Sequence, residues 1–595
     1  MDSREIEITL TGDESCWPKN PKMAVYLGPW CFCGNKDYRF INHLDFKVIK
    51  SPYKSLSQAK EVTSYLNQFI ERLIPVLANE LNKATLSNMN EIYWETLTMP
   101  WLVHWIGIVF DRYTRLKNIE NYFDEKTVIQ IYILPSRYRK IDIAPLAEYN
   151  DHYNNLVLMS DILRKMEFNS LKVSLIETKE KPVQKISNYL APNNSLKNRI
   201  NTFFNSLLCD AQISIMDAYG MSYFDRISIL FRIDPFFFLK RVRYKFFHVN
   251  VDRSTMALSF KPDTEFEQIV RTLLPKYLPE YFFSLCKESP ASSFRVITHE
   301  LGIPYTANKI AAARNNNAML VSVQHGAGYG HYDSFPLGKI DYDLSDSFIT
   351  WGWTFDPMYK KNKFIPLPSP LLSKLKLKRK NKNKILLVSV SYPVYFYRWH
   401  SVQFPEHIVE YINNRIEFIN SLDTSLQERL VLKPYLTDHG TSECDIIKEG
   451  VNGSVNFTSE KNIWKLIPSI GLVVFDHLGT GFLEMLTLNI PAIVFFDKNH
   501  FLFHEKANQH IEMLKNAGIV FYSPQDAAKH INSISSDVES WWASPGLQDA
   551  IERFKKIYAL SSKNWKRDWI SYLNGFKKSC NVDSLRKKTF IKEER

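Results

Sequence analysis

Two short stretches carry the residue types that group transfer needs. In "LVVFDHLGTGFLEMLTLNIPAIVFF", residues 472–496, an apolar run ends in Asp476 and His477, a turn of Gly479, Thr480 and Gly481 follows, and Glu484 lies one turn inside a helix. Free N–H groups and the helix dipole at such an N-terminus form a phosphate site, and glycines admit the phosphate closely. Glu484 is then placed to accept from a ribose hydroxyl pair, and His477 to donate to a departing phosphate. The plainer reading is that Thr480 and Glu484 cap the helix and His477 is satisfied by backbone. In "VSVQHGAGYG", residues 321–330, a β-branched run ends in Gln324 and His325, then Gly326, Gly328, Tyr329 and Gly330. A polar side chain and bare backbone at a strand's carboxyl end mark where open α/β sheets hold ligands. His325 is the first choice for general acid or base, because imidazole titrates near neutrality. Its alternative role is to orient the glycine loop.

Further candidates stand at other strand ends. Glu300 in "VITHELG" could be the base, orient His325 or cap a helix. Of Asp333, Asp343 and Asp346, the last is best placed, as a base or as the nucleophile of a retaining mechanism, with solvated turns as the plain alternative. In "RLVLKPYLTDHG", Lys433 leaves a strand toward a cleft to neutralise phosphate, or snorkels at the surface, and Asp438, His439 and Gly440 form a polar turn beside it. Arg398 and His400 in "YFYRWH" add cationic character. No metal motif is present: Cys31 and Cys33 are wrongly spaced for zinc, and "DYD" at Asp341 and Asp343 reads as a loop. Metal-independent chemistry without a cofactor is expected, the nucleotide entering as substrate.

These residues need strands and helices to hold them. From residue 384 onward short apolar runs alternate with helical patterns, the signature of βαβ units and a doubly wound parallel sheet. Strands are expected at 384–392, 429–435, 472–477 and 492–497. Upstream, "FRVITHE", "AMLVSVQHG" and "SFITWGW" make a second α/β unit, which the early strand "MAVYLG" is expected to join, with long helices such as 55–84 wrapped around it. The expected fold is α/β, GT-B-like, with two Rossmann-like domains facing across a cleft and a helix-rich elaboration of the N-terminal half. The expected divisions are 1–365 for the acceptor side, a Pro/Lys-rich linker 366–384, a nucleotide-sugar domain 385–560, and a C-terminal helix with a basic tail, 561–595.

Composition bounds the function. Of 595 residues 45% are hydrophobic and 14% aromatic, which suits packed cores and sets aside a disordered chain. The net charge of +12 favours anionic partners. The start, "MDSREIEITLTGDES", lacks a signal peptide's basic and apolar regions, and seven scattered cysteines suit a reducing cytoplasm. "MPWLVHWIGIVF", residues 99–110, is too short to span a bilayer and reads as a buried helix. The basic run 374–384 offers peripheral contact with anionic lipid, or is a solvated linker.

Several motifs, in this order and spacing, resemble a family of bacterial transferases from surface-polysaccharide loci: "YLGPWC" at 26–31, "YWETLTMPWLVHW" at 93–105, "QHGAGYG" at 324–330, "WGW" at 351–353, "KPYLTDHG" at 433–440 and "SWW" at 540–542. The chain more distantly resembles Kdo and capsule-polysaccharide transferases and CDP-glycerol glycerophosphotransferases. The resemblance implies a glycosyltransferase using a nucleotide sugar, preferably CMP-Kdo or another CMP-nonulosonate, on a glycan or lipid-linked glycan acceptor. The alternatives are a CDP-polyol phosphotransferase, a nucleic-acid-binding protein and an inactive scaffold. Against nucleic acid, the basic residues cluster in the linker and tail, and the aromatics follow core patterns.

Overall fold

The computed structural model describes residues 5–34, 45–136, 151–178, 208, 213–289, 296–299, 304–377 and 383–575, apart from positions 19, 217, 240, 241, 361, 397 and 403. Glu300, part of the basic run 374–384 and the tail beyond 575 lie outside the described residues.

The protein is α/β with parallel sheets of Rossmann type. The C-terminal sheet has the spatial order Asn456–Phe457, Leu430–Lys433, Lys384–Val388, Ile470–Phe475, Ala492–Phe495, Val520–Phe521, every pairing parallel. Its central strand Ile470–Phe475 is buried along its whole length, as a strand covered by helices on both faces must be. The strands stop short of the expected ends because Ser389, Asp476 and their neighbours turn out into loops. The stretch "KNIWKLIPSI" forms only the short helix Ile463–Leu466 and a 3-10 turn, since Pro468 cannot continue it.

The second sheet runs Phe364–Pro366, Ser347–Thr350, Met319–Val323, Val296–His299, Ile213–Ile215, again parallel. The start of the proline-rich stretch is therefore an edge strand, a place where proline is tolerated. The strand in "MAVYLG" does not join this sheet. Val25–Tyr26 lies between Lys47–Val48 and Glu5–Thr9, in a separate parallel sheet completed by Val128–Ile133 and Lys172–Glu177. The acidic alternation of Glu5 and Glu7 disguises the first strand; those side chains meet Gln130 and Tyr132 on the next one.

The helix-rich elaboration ties these layers together. Ser57–Ala84 and Glu91–Lys117 pack against each other, and the second is buried along most of its length, with Trp101 stacked on Trp105 at 5.3 Å. No helix among the described residues is long and apolar enough to cross a membrane. The end of the chain returns to the N-terminal half: Trp565, Trp569 and Leu573 pack with Ile213, Val321 and Ile349, and Trp569 donates to the Pro368 carbonyl at 3.0 Å.

Candidate active site

The glycine loop after the strand Met319–Val323 has a separate reason for each glycine. Gly328 and Gly330 sit at φ +96° and +71°, the region that side chains avoid, and a Cβ on Gly330 would lie 2.3 Å from the Trp353 ring. Gly326 instead admits the opposite wall, its Cβ position lying 3.3 Å from the Thr480 hydroxyl. Gln324 is buried and spends both ends on structure: its amide donates to the Gly326 carbonyl, and its oxygen accepts from Trp351 N and Trp353 Nε1. It fixes the loop on "WGW" and leaves no group for a substrate.

His325 projects from this loop beside a buried relay. Tyr329 Oη lies 2.7 Å from His325 Nδ1 and donates to Asp341 Oδ2 at 2.8 Å. The tyrosine has one proton, so when it donates to an ionised Asp341 it can only accept from His325 Nδ1–H. That tautomer leaves a lone pair on Nε2, which is what a general base requires, although Nε2 also lies 3.2 Å from the Tyr329 hydroxyl, farther than Nδ1. Burial, assisted by the Arg398 guanidinium, pushes the His325 imidazole down to about 4. Burial pushes the Asp341 carboxyl up to about 7, against the Tyr329 bond and Arg398. Asp341, read from sequence as part of a loop, is thus the carboxylate behind His325. Asp346 is not: its carboxylate pairs with Arg314 at 2.8 Å and accepts from Leu320 N, which pins two elements together outside the cavity lining.

The facing wall comes from the strand Ile470–Phe475. Asp476 is fully buried and accepts from Arg415 Nε at 2.7 Å and from His477 Nδ1 at 2.8 Å. Burial alone would raise the Asp476 carboxyl; Arg415 and His477 outweigh it and hold it below the usual range. A permanently ionised Asp476 fixes the His477 proton on Nδ1 and turns Nε2 toward Gly479. The helix Thr480–Thr487 has no side-chain cap, and its first turn leaves the N–H groups of Thr480 and Gly481 without intrahelical acceptors. Thr480 does not cap its own helix, because its hydroxyl accepts from Ala327 N across the cleft at 2.9 Å. Glu484 caps nothing either. It is 9% exposed, no described hydrogen bond reaches its carboxylate, and burial raises it to about 7.

The two walls enclose a cavity of about 370 Å³, within the usual range of small-ligand sites. His325, Gly326, Gly328 and Tyr329 line one side, and His477, Gly479 and Thr480 the other. The floor comes from the loop after the strand Lys384–Val388, with Arg398 and His400. Helix Glu91–Lys117 and its neighbours clamp this loop: Arg112 donates to the Phe396 carbonyl at 2.7 Å, and Trp399 Nε1 to the Gly107 carbonyl at 3.1 Å. Lys433 and Asp438 do not line the cavity. Lys433 is 8% exposed, and burial lowers its ammonium. The Asp438 carboxylate closes its own turn by accepting from Gly440 N and Thr441 N, and the Gly440 carbonyl accepts from Gly34 N. Among the described residues, one group has metal-ligand chemistry: Glu410, Asp497 and His500, a cluster outside the cavity lining.

The family model of the LIC12162 family transferase matches residues 6–573 of the chain. The protein belongs to that family. It is therefore a transferase, and the match spans all three parallel sheets and both walls of the cavity. Among solved structures, the chain is similar to MurG of Acinetobacter baumannii (10% identity over 47% of this chain and 72% of that one, TM-score 0.27). It is also similar to HepE of Anabaena in complex with UDP and glucose (12%, 44% and 74%, TM-score 0.29). A mutant of the O-GlcNAc transferase of Thermobaculum terrenum is matched over 89% of this chain and 85% of that one, at 10% identity and a TM-score of 0.30. No curated protein matches the chain.

Proposed function

We propose that this transferase is a GT-B-type glycosyltransferase moving a sugar from a CMP-linked 2-keto sugar acid, Kdo or another nonulosonate, to a bacterial surface-glycan acceptor. The observation that carries the reading is the meeting of a histidine-bearing glycine loop and an uncapped helix N-terminus across one cavity, joined by the Ala327 to Thr480 hydrogen bond. The helix terminus takes the donor phosphate, to which His477 donates from Nε2 only when that nitrogen carries a proton as well, and His325 takes the acceptor proton through Nε2. The acidic sugar suits the floor. His104, His325 and His400 are all driven toward the neutral form by burial, with Arg398 opposing their protonation as well. Arg398 is then the fixed positive charge, and His400 Nε2 is buried with no hydrogen-bond partner among the described residues. A donor carboxylate would accept from a proton on His400 Nε2 and lie in the field of Arg398.

The test is CMP release from CMP-Kdo, CMP-sialate and CDP-glycerol. Release from the first or second supports the reading; release from CDP-glycerol alone replaces it with polyol phosphate transfer. Tyr329→Phe is expected to lower turnover about 10-fold, the scale of one supporting hydrogen bond. Because Asp341 ionises near 7, wild-type turnover should rise through that pH, and the rise should be absent in Tyr329→Phe. A pH–rate profile identical to wild type would remove the relay from the mechanism.

A further inference from the structure

Large apolar side chains are exposed unevenly over this protein. Of the thirteen with the greatest exposure among the described residues, seven fall between Phe224 and Phe247, each 44 to 80% exposed. They occupy three successive elements. On the helix Tyr223–Ile233, Phe224 and Phe231 are seven residues apart and share the outer face, while Ile229, Leu230 and Ile233 face the core. The 3-10 turn Phe237–Leu239 buries Phe237 and exposes its neighbours Phe238 and Leu239, with Phe236 exposed just before it. The strand Arg243–His248, which among the described residues pairs only with Ser284–Ser289 in a two-stranded antiparallel ribbon, exposes Phe246 and Phe247. An apolar strand at the rim of a ribbon invites association, so this surface needs something to cover it.

The charges select what covers it. Arg232, Arg243 and Lys245 are exposed among the phenylalanines, while both acidic residues of the stretch, Asp225 and Asp234, are buried. Asp225 is further neutralised by Lys374 at 2.8 Å and Lys566 at 2.6 Å. Every exposed charge described from 222 to 248 is thus positive, with phenylalanine or leucine beside it. Two copies meeting through this face would bring cations together. A bilayer carrying anionic headgroups would pair them and take the rings into its interfacial zone.

We infer that residues 224–239 and 242–247 form a docking surface for an anionic lipid bilayer. It stands independently of the glycosyltransferase reading, and it differs from the basic run 374–384. The test is flotation of the full-length protein with vesicles of phosphatidylcholine alone and of phosphatidylcholine with one-third phosphatidylglycerol. The protein is expected to float with the anionic vesicles, less so in high salt. Combined Arg232→Glu, Arg243→Glu and Lys245→Glu should lower the bound fraction at least about 10-fold, and Phe231→Ser with Phe246→Ser should lower it as well, both with melting temperatures near wild type. A folded wild type that stays off anionic vesicles overturns the inference, as does binding undiminished in both variants. Self-association in size-exclusion chromatography that the phenylalanine changes abolish, with no vesicle binding, overturns it in favour of a second copy.

Discussion

Replacing His325 by alanine is expected to lower turnover about 100-fold or more, the usual scale for losing a general acid or base. The geometry makes the prediction specific. His325 lines the cavity, its Nδ1 is the ring nitrogen nearer Tyr329, and Nε2, 3.2 Å from the same hydroxyl, is the one proposed to meet an acceptor hydroxyl. The imidazole is held at about 4, so it is neutral through the ordinary assay range. His325 itself therefore adds no limb near neutrality, and the rise expected there is the one set by Asp341. A folded-state value depressed below that of the unfolded chain means stability present at neutral pH and lost as pH falls through the window down to about 4. His325→Ala should melt like wild type near neutrality and lose less on acidification, which separates a catalytic defect from misfolding. Near-normal turnover would reduce His325 to a support for the glycine loop.

The sequence made the site legible where function and backbone geometry demand the same residues. Gly328 and Gly330 announce a loop whose backbone favours glycine, Gly326 leaves room for Thr480, and the turn before Thr480 announces a helix N-terminus at a strand end. Both proved to face one cavity. The C-terminal sheet was readable because its buried strands have to be continuous apolar runs. The first sheet was not, because Glu5 and Glu7 face polar cross-strand partners, and Val25–Tyr26 is too short to show a period. Asp341 was hidden for a different reason. Its partner is Tyr329, twelve residues earlier, and only the fold shows that the tyrosine hydroxyl bridges it to His325. Asp346, at the edge of a strand, looked better placed, yet Arg314 takes its charge. The motif tryptophans that make the family recognisable are largely structural pins: Trp30 donates to the Leu10 carbonyl, Trp353 to Gln324, and Trp542 to Asn489 beside the end of the helix Thr480–Thr487.

Glu484→Gln carries the second large expectation, a loss of about 10-fold to 150-fold in nucleotide affinity, since a charge-assisted hydrogen bond contributes roughly 1.5 to 3 kcal/mol. A buried carboxylate without a described partner is costly to keep. Glu484 lies one turn into the helix that starts at Thr480, outside the cavity lining, and we propose that a ribose hydroxyl pair reaching it repays that cost. Two pH dependences follow from a carboxyl raised to about 7. In the free protein the folded state holds the proton more tightly than the unfolded chain, so this group's contribution to stability is full in acid and is lost as pH rises through about 7. The glutamine variant, which cannot ionise, should therefore melt no lower than wild type at alkaline pH. In the complex the ionised form accepts from ribose, so wild-type affinity should climb through the same window while that of the variant stays flat. Calorimetric titration of CMP, UMP and GMP at several pH values, alongside thermal melts, measures both. Unchanged affinity in the variant would sink the ribose assignment, and a wild type that binds no nucleotide would sink the glycosyltransferase reading with it.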